Sequence, residues 1–468
     1  MSEPSTFRTM CPMNCHPTLC GMLVDTKDNK LVEIKGDPDN PDSNGFLCVR
    51  GKTAHEIIDN PKRLLHPLIR NQRGTDQWEQ ISWEKAIAHI STKLEHIKPS
   101  EFGIWLGHGD AATNYGNRLG GQLQRRFAYL YGCQWWHPAM ICWGLGGLGF
   151  GLTGALNVST KEDMSANSDL IILWGANITS QPNTGPHIRA ARKRGAKIIS
   201  IDIRQSEASA LADDSLIIKP GTDAALALGI IHILIKEDLI DNTFIESHTS
   251  GFDELKKHVK QFTPEWTATE TGIEIKQIES LVKDYTDIKK AMILVGGSSM
   301  HKSSNGWQAA RAIACLPALT GKLGIAGAGL GPRHGVNTTG QELNSVLPES
   351  GNACDNVIPN QMSAMTNAFI NGEVKTLLLS GTDMLSSFAD TNQLKKGLDQ
   401  IDLIISHDLF MNDTIREYAD IVIPATAWLE QLGCKSTHTH LYLMEQCLPA
   451  SGEAKTISKI LQALADKF

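Results

Sequence analysis

Cysteine occurs three times within ten residues of CPMNCHPTLC, at Cys11, Cys15 and Cys20, and a fourth, Cys48, follows in FLCVRGK. Thiolates are soft ligands that suit zinc or iron–sulfur clusters. Three ligands on one tight loop and one distant ligand match a four-iron cube. Zinc sites more often use two CxxC pairs, and neither pair is present. The spacing therefore favours a cluster and leaves zinc as the alternative. Four unrelated buried cysteines are the bland reading, and crowding of this kind speaks against it.

The bulk numbers limit what surrounds these thiols. The chain has 468 residues, 41% of them hydrophobic, enough for more than one compact domain. A net charge of −7 and no basic arm argue against a nucleic-acid partner. The opening MSEPSTFRTM carries neither an apolar stretch nor a twin arginine, so no export signal is expected. The longest apolar run, AALALGIIHILI, is too short to span a bilayer. The expectation is a soluble, cytoplasmic protein with reduced thiols, in which clustered cysteines are metal ligands rather than disulfides.

Strands and helices must position these groups. GMLVDTKDNKLVEIKG reads as two short strands joined by a polar turn, a small β-rich cap around the cysteines. Beyond it, strand and helix alternate. DLIILW is a buried strand, PHIRAARKRG a helix ending at Gly195, and AKIISID a strand running into Asp202 and Arg204. A second segment repeats this plan in TLLLSG, DLIISHD and ADIVIP. Gly175 and Gly381, Asp202 and Asp408, and Asp214 and Asp420 each lie 206 positions apart. Glycines and acids at the carboxyl ends of parallel strands are the furniture of a nucleotide site, so two such halves predict two nucleotide-like groups. Helix caps and simple turns are the plainer reading of any one of these residues. GLGGLG at 144–149 fits GxGxxG, but no hydrophobic strand precedes it. It reads instead as a glycine-rich path against a large flat ligand.

Together these pieces resemble the molybdenum/tungsten bis(pterin guanine dinucleotide) oxidoreductases, the family of formate dehydrogenases, periplasmic-type nitrate reductases and dimethyl sulfoxide reductases. The resemblance runs from Cys11 to the last residues. It is carried by CPMNCHPTLCGM, FLCVRGK, AMICWG, LWGAN, IDIR, KPGTDAALALG, HGVNTTGQ, HDLFMNDT and YADIVIPATAWLE. It implies a [4Fe-4S] cluster on Cys11, Cys15, Cys20 and Cys48, with Arg50 as the basic residue between cluster and pterin. It implies Cys142 as the protein ligand of Mo or W. Gly175, Asn177, Asp202, Arg204, Gly221, Thr222 and Asp223 would hold one guanine dinucleotide; Asn337, Gly381, Asp408 and Thr414 would serve the other. His16 and His301 are candidate catalytic groups near the substrate; for His16 the plainer reading is a loop histidine packed on the cluster, and His137, five residues before Cys142, reads as structural.

Departures from the family pattern narrow the activity. Trp143 stands where formate dehydrogenases place a histidine after the ligand, and Thr339 where they place an arginine, so formate oxidation is not expected. His16 occupies the place of the essential aspartate of acetylene hydratase. The family usually continues after TAWLE into a β-rich domain that closes over the pterins, and the expectation from these 468 residues is that another chain supplies that lid or that the site is open. The expected fold is α/β: an Fe–S cap over 1–57, one doubly wound domain formed by 58–135 and 336–468, and a second over 136–335 inserted in it. The expected function is a two-electron oxidoreductase of a small molecule, using bis-molybdopterin guanine dinucleotide with Mo or W and a [4Fe-4S] cluster. An electron-transfer protein or subunit is the implied partner, with a separate lid subunit as a further one. A non-redox tungsten hydratase and a silent subunit are the alternatives.

Overall fold

The computed structural model describes residues 4–13, 15, 19–107, 118–154, 158–297, 300, 306–332, 354–437 and 440–468. The chain forms two compact units. One comprises Met1–Asn14, Leu19–Met140 and Thr339–Phe468; the other comprises Cys15–Thr18 and Ile141–Thr338. The second unit interrupts the first in sequence.

The first unit begins with an antiparallel three-stranded meander, Ser5–Met10, Gly21–Lys27 and Lys30–Gly36. The last two are the expected strands. Asp28 and Asn29 between them both have positive φ, 52° and 61°, the backbone that a tight two-residue hairpin turn demands. The strand Ser5–Met10 was not foreseen. It delivers the chain directly to Cys11.

The main sheet of this unit has seven strands in the order Glu79–Gln80, Leu68–Ile69, Ile421–Pro424, Leu403–Asp408, Thr376–Ser380, Phe102–Leu106, Gln134–Trp136. The first two are joined antiparallel and the remaining five are parallel. Every residue of Thr376–Ser380 and Phe102–Leu106 is buried, as expected of parallel strands covered on both faces. A two-stranded hairpin, Gly433–Ser436 with Leu441–Met444, completes the unit.

The second unit carries a five-stranded, all-parallel sheet in the order Asp214–Ile217, Lys197–Asp202, Leu170–Trp174, Ala291–Val295, Gly329–Leu330. Strand for strand, this is the order of the five parallel strands in the first unit. The chain enters at different points: the last two strands come last in the second unit and first in the first unit. The two sheets are thus circularly permuted copies of one plan.

GLGGLG does not form an open path along a ligand. Gly144–Leu152 is a helix, packed on the helix Gly306–Leu319. A side chain on Gly149 would come within 2.5 Å of the Trp307 carbonyl. At Gly149 the missing side chain is what lets the two helices approach closely.

Candidate functional site

Cys11 and Cys20 are buried, and the Cys11 amide donates to the Cys20 carbonyl at 2.8 Å, which closes the cysteine loop. Cys48 precedes the short helix Val49–Lys52 as its N-cap. A Cβ on Gly51 would stand 3.3 Å from Cys11 Sγ, so glycine in CVRGK lets this helix lie against the loop. Partial burial works against the Cys48 thiolate. The amides of Gly51 and Arg50, and the hydrogen bond and charge of the Arg50 side chain, outweigh it, and the thiol titrates below the ordinary cysteine value. The sulfur closes no geometric capping bond, so the amides act here through their field. Cys15 is buried too, and all ten cysteines are free of disulfides. Among the described residues no three His, Cys, Asp or Glu side chains converge on one metal ion.

The glycine turns of the two sheets match in detail. Gly175 has φ +60° and Gly381 φ +59°, a left-handed conformation that favours glycine. The Gly175 amide donates to the Ile201 carbonyl and the Gly381 amide to the His407 carbonyl, both at 2.8 Å. A second glycine follows the neighbouring strand in each sheet. Gly296 donates to the Trp174 carbonyl and Gly107 to the Ser380 carbonyl, both at 2.7 Å. A Cβ on Gly296 would lie 1.9 Å from the Gly175 carbonyl oxygen, and one on Gly107 would lie 1.8 Å from that of Gly381.

The acids repeat as well, with one shift. Asp202 Oδ1 accepts from the Ile203 amide and Asp408 Oδ1 from the Leu409 amide, both at 2.7 Å. Asp420 Oδ2 accepts from the Ile404 amide at 2.8 Å, but its counterpart is Asp213, whose Oδ2 accepts from Ile198 at 2.8 Å. The spacing had paired Asp420 with Asp214. The connection after Asp408 is one residue longer than that after Asp202, which moves the match by one.

The other candidates fall into two groups. Exposed or half-buried are Arg204, which donates to the Gln205 carbonyl at 3.0 Å; Gly221, with φ +80°; Asn177; and Thr222, the N-cap of the helix Asp223–Lys236. Asn177 Oδ1 accepts from the amide and hydroxyl of Thr179, fixing the loop after the glycine. Buried are Asp223 and Thr414. Burial raises the Asp223 carboxyl above its usual range, the Trp174 indole at 2.9 Å opposes this, and the nearby Asp202 charge adds to it. Thr414 donates to Asp383 at 2.5 Å and accepts from the Leu385 amide at 3.0 Å, so its hydroxyl braces the loop after Gly381.

Cys142 is half-buried against the core of its unit, just before the buried Trp143 and the helix Gly144–Leu152. His137 accepts from the Ala139 amide at 3.3 Å and lies 5.1 Å from the Trp135 ring, a structural setting. His16, His301 and Asn337 lie outside the described residues. Three features escaped sequence reading. Gly107 and Gly296 were visible as a glycine after each of IWL and ILV. Arg63 pairs with Glu430 through two hydrogen bonds, 2.7 and 2.8 Å, across 367 positions, a distance no local pattern spans. Lys435, fully buried, donates from Nζ to the Cys11 carbonyl at 2.8 Å.

Among the described residues no helix is long and apolar enough to cross a membrane. Residues 63–467 match the model of the molybdopterin oxidoreductase family, and residues 4–60 that of the molybdopterin oxidoreductase Fe4S4 domain. A probable oxidoreductase of Bacillus subtilis, YoaE, is 33% identical over 98% of this chain and 68% of its own length. The alpha subunit of F420-dependent formate dehydrogenase 1 from Methanococcus maripaludis is 29% identical over 100% of this chain and 71% of its own. Acetylene hydratase from Pelobacter acetylenicus superposes with a TM-score of 0.81 at 23% identity, over 98% of this chain and 69% of that one, and shares the fold. The thiol-bearing cap and the permuted twin sheets are therefore those of an enzyme family that uses molybdopterin and a 4Fe–4S cluster: the chain belongs to the molybdopterin oxidoreductases.

Proposed function

We propose that the chain is a two-electron oxidoreductase acting on a small molecule at a Mo or W centre held by two pterin guanine dinucleotides. The observation that carries this reading is the repeated turn: Gly175 and Gly381, with the same φ, the same hydrogen bond and an acid at the next strand end. A site for two equivalent groups asks for two equivalent cradles. In each, the missing Cβ leaves backbone accessible beyond the carboxyl end of a parallel strand. Asp202 and Asp408 each hold a local amide on one carboxylate oxygen, and Asp408 Oδ2 also accepts from Asn412 at 3.1 Å; the remaining lone pairs can serve the donors of a guanine edge.

The donor set also suits the cluster. Cys11, Cys15, Cys20 and Cys48 are reduced thiols, and Cys48 already favours the thiolate that metal binding needs. Cys142 offers a further soft donor for Mo or W. When bound, the metal centre supplies the two-electron chemistry. The chain supplies placement: Arg50 holds a fixed cation beside Cys48, and the glycine turns orient the dinucleotides. No nicotinamide or flavin motif is evident, so an electron-transfer partner is part of the proposal. The formate dehydrogenase relative is itself named as a subunit.

The test is a substrate screen of anaerobically prepared protein with redox dyes as acceptors or donors, run beside the C142A variant. Dye-dependent turnover lost in C142A supports the reading. Turnover that needs no dye would move the protein to the hydratase class. No turnover by protein that holds Mo or W would make it a silent subunit.

A further inference from the structure

Lys435 stands out as a long cationic side chain with 0% exposure. It lies on the strand Gly433–Ser436, and its ammonium meets the main-chain carbonyl of Cys11. Its surroundings include the buried cluster of Met10, Cys11, Cys20, Leu47, Trp428 and Met444. A cation costs free energy in such a place unless it is hydrogen-bonded, and an apolar side chain would fill the space at lower cost. Packing alone therefore does not account for a lysine here.

The hairpin that carries Lys435 is moored to the cap. Buried Asp42 accepts from the Thr437 hydroxyl at 2.8 Å and from the Tyr442 hydroxyl at 2.5 Å. His440 stands 3.5 Å from the same carboxylate. Among the described residues, Lys435 at the Cys11 carbonyl and Arg50 beside Cys48 are charged groups that reach the cysteine-bearing segments.

We propose that Lys435 is a positioning residue for the iron–sulfur cluster: its buried ammonium fastens the Cys11 ligand loop and raises the cluster's reduction potential. The inference rests on the assignment of Cys11 as a cluster ligand. Its physics is elementary. A cluster that takes up one electron becomes more negative, and a fixed cation nearby stabilises that state. In a low-dielectric setting the field of that cation is poorly screened. The hydrogen bond to the Cys11 carbonyl also ties down the backbone from which the ligand projects.

The test uses the full chain, purified anaerobically with its cluster, and the variants K435M and K435R. Iron per chain is counted, and the cluster is titrated with viologen dyes while its reduced signal is followed by EPR. K435M is expected to hold the wild-type iron complement but to need at least a tenfold higher ratio of reduced to oxidised dye for half-reduction. That ratio corresponds to about 59 mV for one electron. K435R should return the midpoint towards the wild-type value. Loss of iron or fold in K435M with retention in K435R also supports the proposal. K435M with full iron and an unchanged midpoint overturns it. So does K435R behaving like K435M, which would leave the position a packing role only. Wild-type protein that binds no iron would instead defeat the ligand assignment, and the proposal with it.

Discussion

Placing a methyl group on Gly107 or Gly296 tests the twin cradles. The added Cβ would lie 1.8 Å from the Gly381 carbonyl oxygen in one case and 1.9 Å from that of Gly175 in the other. An ordinary carbon–oxygen contact is about 3.3–3.6 Å, so each glycine turn must retreat by roughly 1.5 Å. Overpacking of this kind costs about 1–3 kcal/mol. The retreat also strains two hydrogen bonds at each site, such as Gly107 to Ser380 and Gly381 to His407, each worth about 0.5–1.5 kcal/mol net. The sum is about 2–6 kcal/mol for either variant. At about 2–4 °C per kcal/mol for domains of this size, Tm should fall by roughly 4–24 °C. Thermal unfolding of G107A and G296A measures this, with G147A as the control, since a Cβ there meets nothing closer than 3.8 Å and the backbone φ is not positive. Both variants should also lose bound guanine nucleotide. Wild-type stability and nucleotide content in either one would refute the equivalence of the two turns.

Two further outcomes follow from the electrostatics. The Arg63–Glu430 pair is buried, and although burial opposes it, the bonds from Arg63, Ser451 and the Ala427 amide hold the Glu430 carboxyl below its usual range. E430Q strands a buried guanidinium and should cost about 3–5 kcal/mol at neutral pH. Because the folded state binds this proton more weakly than the unfolded state, the contribution is complete above the ordinary glutamate value. It is lost as pH falls through the depressed one, so the wild-type advantage in chemical unfolding should shrink on acidification. R50M removes a hydrogen bond and a charge that favour the Cys48 thiolate. In metal-depleted protein, alkylation of Cys48 near neutral pH, resolved by mass spectrometry, should slow; an unchanged rate would contradict that role for Arg50.

Much of this architecture was legible because its signals are local. The cysteine loop, the buried strands Leu170–Trp174 and Thr376–Ser380 and the glycine after each of these two are written in short runs of residues. The repeat at 206 positions exposed two halves. Its third pair was off by one because helical connections vary in length while strand ends do not. The permutation escaped notice because Phe102–Leu106 and Gln134–Trp136, which pair with each other, precede the other three parallel strands of their sheet by more than 200 residues. Lys435 and Glu430 meet their partners only through the fold, and nothing in CKS or WLE announces a buried charge. The helix Gly144–Leu152 was misjudged because glycines that admit a ligand and glycines that admit a neighbouring helix look alike in sequence.

The central claim is one loaded cluster and two equivalent dinucleotide cradles. The most direct test is to count iron, molybdenum, tungsten and acid-released guanine nucleotide in anaerobically purified protein. The account predicts about four irons, about one Mo or W, and about two guanine nucleotides for each Mo or W, one for each cradle. One nucleotide per metal would contradict the twin-cradle reading, and zinc in place of iron would contradict the cluster.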